Sequence, residues 1–146
     1  MSELIRREFM VDAPISAAWQ HFADVEQWPS WAKHISRIDL TPKGALSLQS
    51  AGVIHLKNGI TSKFRMTEIN ALQNWIWVGN FLWLLVTYDH RFDEVDSEHT
   101  KLTFSVAGEG FGVSIFGRLF AAVYNRNLDR AIPHLIGEMS TLNQSK

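Results

Sequence analysis

The chain has 146 residues, 46% of them apolar and 20% charged, with a net charge of −1 and no cysteine. That balance fits a folded chain with one core, read as a single domain over residues 1–146, and excludes a low-hydropathy disordered chain. No cysteine means no disulfide, thiolate metal site or cysteine nucleophile, and the absence of a concentrated basic run argues against a nucleic-acid partner.

Residues 3–12 alternate weakly and predict a strand with Phe9 and Val11 on its inner face. Its start, Met1-Ser2-Glu3-Leu4-Ile5-Arg6-Arg7-Glu8, lacks the apolar core of a signal peptide. No stretch approaches the roughly 18 apolar residues of a membrane helix. A cytoplasmic location is the resulting expectation. Asp12-Ala13-Pro14 stops the strand, because proline brings no ladder donor and is suited to opening a helix. Ile15, Ala18, Trp19 and Phe22 then fall on one side of a short helix. A second short turn follows, with Asp24 as N-cap and Gln27 three residues on, ended by Pro29 within Trp28-Pro29-Ser30-Trp31.

From residue 34 to 109 the pattern is extended, with strands expected over 34–41, 49–56, 61–70, 74–81, 86–95 and 99–109. Asn58-Gly59 is the strongest hairpin signal, since both residues tolerate positive φ. Trp75, Trp77 and Phe81 share one parity, as do Tyr88, His90 and Phe92, then Leu102, Phe104 and Val106. Residues of one parity line one face of a sheet. Gly108, Gly110 and Gly112 mark the exit from the sheet; they are not a GxGxxG and lie outside any βαβ unit, so no nucleotide loop is expected. The last element, from about Phe116 to Leu142, places Phe116, Leu119, Phe120, Val123, Tyr124, Ala131, Leu135 and Met139 at 3–4 spacing, with Pro133 expected to kink it.

The chain carries six Trp, nine Phe and two Tyr. Each such ring buries about 150–250 Å², on the order of 4–6 kcal/mol as an upper bound. Most must therefore face a core, a cavity or a partner. The terminal helix is the one element long enough to cover so many rings.

Two stretches carry a family resemblance. Val11-Asp12-Ala13-Pro14, followed by Ala18-Trp19, Phe22, Asp24, Trp28 and Trp31, resembles the opening of the SRPBCC superfamily, the group of START, polyketide cyclase and birch-allergen-like proteins. Trp77-Val78-Gly79, His90-Arg91-Phe92, Thr100-Lys101-Leu102, Gly110 and a helix ending in Leu135 and Glu138 are similar to its cyclase/dehydrase-like branch. The resemblance implies an α+β helix-grip fold: a curved seven-stranded antiparallel sheet around a long C-terminal helix, two short helices between the first two strands, and a hydrophobic cavity between sheet and helix. It implies binding or transport of a small hydrophobic ligand (aromatic, polyketide-like or lipid-like). The alternatives are an aromatase/cyclase- or dehydratase-type enzyme working without a cofactor, and a non-catalytic interaction module. No shared catalytic residue comes with the superfamily, so function rests on the site.

The candidate ligand-contacting residues are Trp31, Phe64, Met66, Trp75, Trp77, Tyr88, His90, Phe92, Phe104, Phe120 and Tyr124. Such a set reads either as packed core or as the wall of a pocket of roughly 300–1,000 Å³. Asp89, Arg91 and Asp93 have outward parity, which turns His90 inward. A buried imidazole stays neutral and offers one directional hydrogen bond, to a ligand or to the core. Glu68 continues the parity of Phe64 and Met66, as a rim acid or a solvated carboxylate; with His90 it is the candidate for acid–base work. Lys63 and Arg65 face outward, and His55 takes no face, because both parities around it are apolar. The histidines at 21, 34, 55, 90, 99 and 134 show no HxH or HxxxH spacing, and no GxSxG elbow is present, so neither metal nor serine chemistry is expected. The apolar runs 81–85 and 111–116 read as a cavity mouth, a membrane-surface contact or a dimer patch, with 80–86 as a longer strand the other reading. Monomer and homodimer both stay open.

Overall fold

The structure, a computed structural model, describes residues 2–81 and 83–144. Strand β1 (Ser2–Val11) leads into helix α1 (Ile15–Ala23) and a 3-10 turn (Val25–Ser30). Six strands follow: β2 (Ile35–Thr41), β3 (Ala51–Leu56), β4 (Thr61–Asn70), β5 (Asn74–Phe81), β6 (Leu84–Asp96) and β7 (His99–Glu109). Helix α2 (Val113–Gln144) ends the chain. The strands form one antiparallel sheet in the order β1-β7-β6-β5-β4-β3-β2, so consecutive strands pair and β1 closes back beside β7. The first strand is thereby brought beside the last, and both lie under α2.

The local chemistry explains the short elements. Pro14 takes the N-cap position of α1 in extended geometry, as its missing N–H allows. Asp24 stands at the head of the 3-10 turn, but its side chain makes no capping bond; the turn is held instead by the Trp28 indole, which donates to the Phe22 carbonyl at 2.7 Å. Pro29 lies inside this turn rather than ending it. Gly59 has a φ of 92° in the β3–β4 turn, the left-handed geometry expected of Asn58-Gly59. The 80–86 segment resolves into the end of β5 and the start of β6, with Leu84 buried; Leu82 and the side chain of Phe81 lie outside the described residues.

Two parities differ from expectation. A bulge between Met66 and Glu68 shifts the β4–β5 register, as one extra residue in a strand does. Phe64 and Met66 therefore stay buried while Glu68 turns out to solvent and Ile69 turns in. On α2, Phe120, Leu128, Ala131, Leu135 and Met139 are buried, with Tyr124 packed against them, whereas Leu119 and Val123 are exposed. The inward stripe is narrower than 3–4 spacing alone implied.

Phe22 is the hub of the core. Its ring lies within 6 Å of the rings of Trp28, Trp31, Trp75, His90, Phe92 and Phe104. Among the described residues the Trp75 indole N–H has no hydrogen-bond partner, and Trp19 meets that ring edge-to-face at 5.2 Å. Gly52 makes room for another ring. A Cβ there would press on the Asp39 carbonyl oxygen and come within 2.6 Å of Phe64 Cζ. Gly52→Ala is accordingly expected to cost about 1–3 kcal/mol by overpacking, read from denaturant midpoints; an unchanged midpoint would show that β2 and Phe64 yield freely.

Candidate functional site

His90 sits in the middle of the sheet, opposite Trp75 on β5 and Phe104 on β7. Its Nδ1 lies 3.3 Å from the Trp75 carbonyl oxygen, to which it donates as the protonated nitrogen, and this leaves Nε2 as the free acceptor. Trp75 stacks on the imidazole at 4.9 Å and Trp77 meets it edge-on at 4.9 Å. Burial drives its pKa down to about 3, against the weaker pull of the Trp75 carbonyl. The ring is neutral across the physiological range.

His90 borders a small, partly open cavity of about 30 Å³, with Phe22, Trp28, Trp31, Phe104, His34, Tyr124 and Asn127 among its walls. That space suits about one water molecule, and it is far below the size of a ligand pocket. The rings fill what the sheet and helix enclose. Burial also lowers the pKa of His34 and pushes Tyr124 up to about 12. Tyr88, 6.1 Å from Tyr124 between ring centres, is raised further by burial and by its tyrosine neighbour.

Outside the cavity wall lies a groove of about 500 Å³ between the segment 31–34 and α2. Trp31, His34 and Asn127 line both spaces and so form the partition between them. Lys33, Asp129, Arg130, Ala131, Pro133 and His134 complete the groove. Asp129 is neutralised by Arg7 of β1 at 2.8 Å, and Arg7 also donates to the Asn125 side chain at 3.2 Å. Among the described residues, Lys33 and Arg130 have no carboxylate partner, so the groove is electropositive. A second groove of about 380 Å³, beside Trp19, Asp24, Glu26 and Leu46, shares no wall residue with the cavity, and Lys43 pairs with Glu26 at its edge.

Of the residues expected from the sequence, Trp31, His90, Phe104 and Tyr124 meet at the cavity. Phe64, Met66, Trp75, Trp77 and Phe92 are buried in the packed core, with Phe64 against Trp77 at 4.2 Å. Tyr88 and Phe120 join Tyr124 beneath α2. Glu68 is on the outer side, bonded to the Asn70 amide at 3.1 Å, and does not converge with His90. His55 also lies outward, 2.8 Å from Asp39. Sequence reasoning missed His34, Asn127, Lys33 and Arg130. Asn127 had a signal: it is a polar residue three positions after Tyr124 and four before Ala131, interrupting the buried side of the helix. Lys33 and His34 had none, because they come to α2 only through the turn of the chain after Ser30. Among the described residues no cluster of His, Asp and Glu has the geometry of a metal site.

A seven-stranded antiparallel sheet around a long C-terminal helix, with two short helical pieces between β1 and β2, is the helix-grip architecture of the SRPBCC superfamily. The chain belongs to the polyketide cyclase / dehydrase and lipid transport family, whose model matches residues 3–135. Solved structures share the fold. The Zhui aromatase/cyclase from Streptomyces sp. R1128 superposes with a TM-score of 0.71 at 16% identity, covering 92% of both chains. A START superfamily protein from Mycobacterium smegmatis gives 0.69 at 12% identity over 92% of this chain and 97% of its own. The protein XoxI from Bacillus cereus gives 0.74 at 15% identity over 98% and 99%. No curated protein matches the sequence.

Proposed function

We propose that the protein binds a small amphipathic acid, with an apolar ring or acyl body, in the groove between residues 31–34 and α2. The observation that carries this reading is the juxtaposition of a ligand-sized groove with the small cavity beside His90, the two sharing Trp31, His34 and Asn127. Pro133, exposed, and the edge of the mostly buried Trp31 offer the body an apolar contact. Lys33 and Arg130 hold the acidic group, and Asp129 does not oppose it because Arg7 occupies that carboxylate. Pockets of this size, mostly apolar with a few placed polar groups, are the usual form of a small-molecule site.

The chemistry favours binding over acid–base catalysis. An efficient general acid or base has a pKa near the working pH, and His90 stands at about 3. Its proposed acidic companion, Glu68, is on the other side of the sheet. What His90 supplies is a fixed acceptor, directed by the Trp75 carbonyl, toward a water-sized guest in the small space beside it and away from the groove.

Matched fluorescent probes test the reading: 1-anilinonaphthalene-8-sulfonate, which is anionic, and N-phenyl-1-naphthylamine, its neutral relative. The wild type is expected to bind the sulfonate saturably and with the higher affinity. The double variant Lys33→Glu with Arg130→Glu should weaken the sulfonate about tenfold, as expected for losing two partly exposed charge contacts and gaining repulsion, and should leave the neutral probe nearly unchanged. Equal affinities of both proteins for the sulfonate would reject the reading.

A further inference from the structure

The outer side of α2 does something the groove does not require. Phe111 is 88% exposed, Ile115 71%, Leu119 57% and Val123 53%, and the last three recur every fourth residue, which puts them on one face of the helix. Trp83, on the β5–β6 turn, is 52% exposed and extends the patch. Its indole donates to the Phe111 carbonyl at 2.8 Å and its ring meets Phe116 edge-on at 4.7 Å, which fixes the turn to the start of the helix. The result is one apolar tip built from two segments. Isolated exposed apolar residues are ordinary, but a contiguous set marks a contact surface.

Charge identifies what it contacts. Between Val113 and His134 the helix carries Arg118, Arg126 and Arg130, all exposed, and a single acid, Asp129, which Arg7 neutralises. Glu109, exposed at the end of β7, is two residues from Phe111 in the chain and lies off this helix. A second copy of the chain packed on this face by a two-fold axis would set the patch against itself, so that Arg118 and Arg126 would meet a face bearing the same two arginines and no acid of this helix stretch to answer them. A bilayer of anionic lipids has no such conflict: its acyl layer takes the aromatic and aliphatic tip while its phosphates take the guanidinium groups. Arginine stems reach past apolar neighbours to do this.

We propose that the tip formed by Trp83, Phe111, Ile115, Leu119 and Val123, bordered by Arg118 and Arg126, docks the protein on an anionic membrane surface. The helix then runs from the membrane to the groove, since Arg130 lies eleven residues beyond Leu119, a rise of about 16 Å at 1.5 Å per residue. Docking would hold the groove close to the lipid phase without inserting any segment across it; no helix of the described residues is long and apolar enough to cross a membrane.

Co-sedimentation with vesicles tests the proposal, comparing phosphatidylcholine alone with phosphatidylcholine containing phosphatidylglycerol. Binding is expected on the anionic vesicles, weak on the neutral ones, and reduced by salt. Tryptophan emission should shift to the blue on binding, and Trp83→Phe should remove most of that shift. Phe111→Asp with Ile115→Asp should abolish binding, while Arg118→Glu with Arg126→Glu should weaken it by about tenfold or more, each cationic contact being worth several-fold. These positions are exposed, so circular dichroism and melting temperature should stay at wild-type values. Three results would each overturn the proposal: no binding to anionic vesicles, binding that survives both double variants, or a wild-type dimer that Phe111→Asp with Ile115→Asp converts to a monomer.

Discussion

Phe22→Ala is expected to lower the stability of the fold by about 3–5 kcal/mol, the range for removing a large aromatic side chain from a core. The expectation rests on what the ring touches. It stacks between Trp28 at 4.8 Å, Trp75 at 5.2 Å and Phe104 at 5.1 Å, and so ties α1 and the 3-10 turn to strands β5 and β7. For a chain of this length the loss corresponds to about 10 °C or more in melting temperature. The variant has a second expected property. Phe22 is a wall of the 30 Å³ cavity, so its removal merges that cavity with a new void. Dry apolar cavities produced in this way take up benzene-sized molecules. Benzene or indole should therefore raise the melting temperature of Phe22→Ala and leave the wild type unmoved. A loss below about 1 kcal/mol, with no rescue by either molecule, would mean that the neighbouring rings close over the site.

The second expectation concerns pH. The folded-state pKa of His90 is about 3, against about 6.5 in the unfolded chain. Between these values the unfolded state binds the extra proton. The contribution of His90 is thus fully present above pH 6.5 and is lost as pH falls toward 3, at about 1.4 kcal/mol per pH unit. His34, whose pKa burial also lowers, acts in the same direction. His99 is raised by its bond to Asp96 and contributes oppositely, with stability lost as pH rises, but it is solvent-exposed and its effect is screened. A difference measurement isolates His90. In His90→Asn the amide can replace Nδ1 as donor to the Trp75 carbonyl but cannot titrate. Urea denaturation from pH 7.5 down to 4.5 should give flat profiles above 6.5 for both proteins and a steeper decline below it for the wild type, so that the gap between them narrows on acidification. Parallel profiles would show that His90 is protonated without penalty, and hence that its surroundings are wetter than the ring cluster implies.

The sequence expressed strongly whatever depends on local periodicity. Alternation through Trp75-Ile76-Trp77 and through Tyr88-Asp89-His90-Arg91-Phe92 placed the inner face of β5 and β6 correctly, and Asn58-Gly59 located its hairpin. Family resemblance then supplied the order in which the elements close on α2. Glu68 escaped because a bulge is a register event between two strands, invisible in either strand alone. Leu119 and Val123 escaped for a related reason: 3–4 spacing states which residues share a side of a helix, and the neighbours decide how wide the covered arc is. The size of the cavity was the least accessible quantity. A count of rings gives the area to be buried, but whether they interlock or line a void depends on rotamers, and here Phe22 and Trp28 enter the space from α1 and the 3-10 turn. The partition of Trp31, His34 and Asn127 joins two segments nearly a hundred residues apart, which no local pattern records.

Pro133 borders the groove from within α2, and a proline there brings no amide hydrogen to the carbonyl four residues earlier. Downstream of it the rod is bolted down: Leu135 and Met139 are fully buried, Glu138 holds His21 at 2.9 Å and Ser30 at 3.1 Å, and Ser140 reaches Asp12 at 3.4 Å. Upstream it is fastened as well, by Arg7 on Asp129 and by the buried Phe120 and Leu128. The missing rung therefore lies between two moored lengths of helix, and the groove wall that Pro133 interrupts keeps its place because both flanks are tied to the sheet.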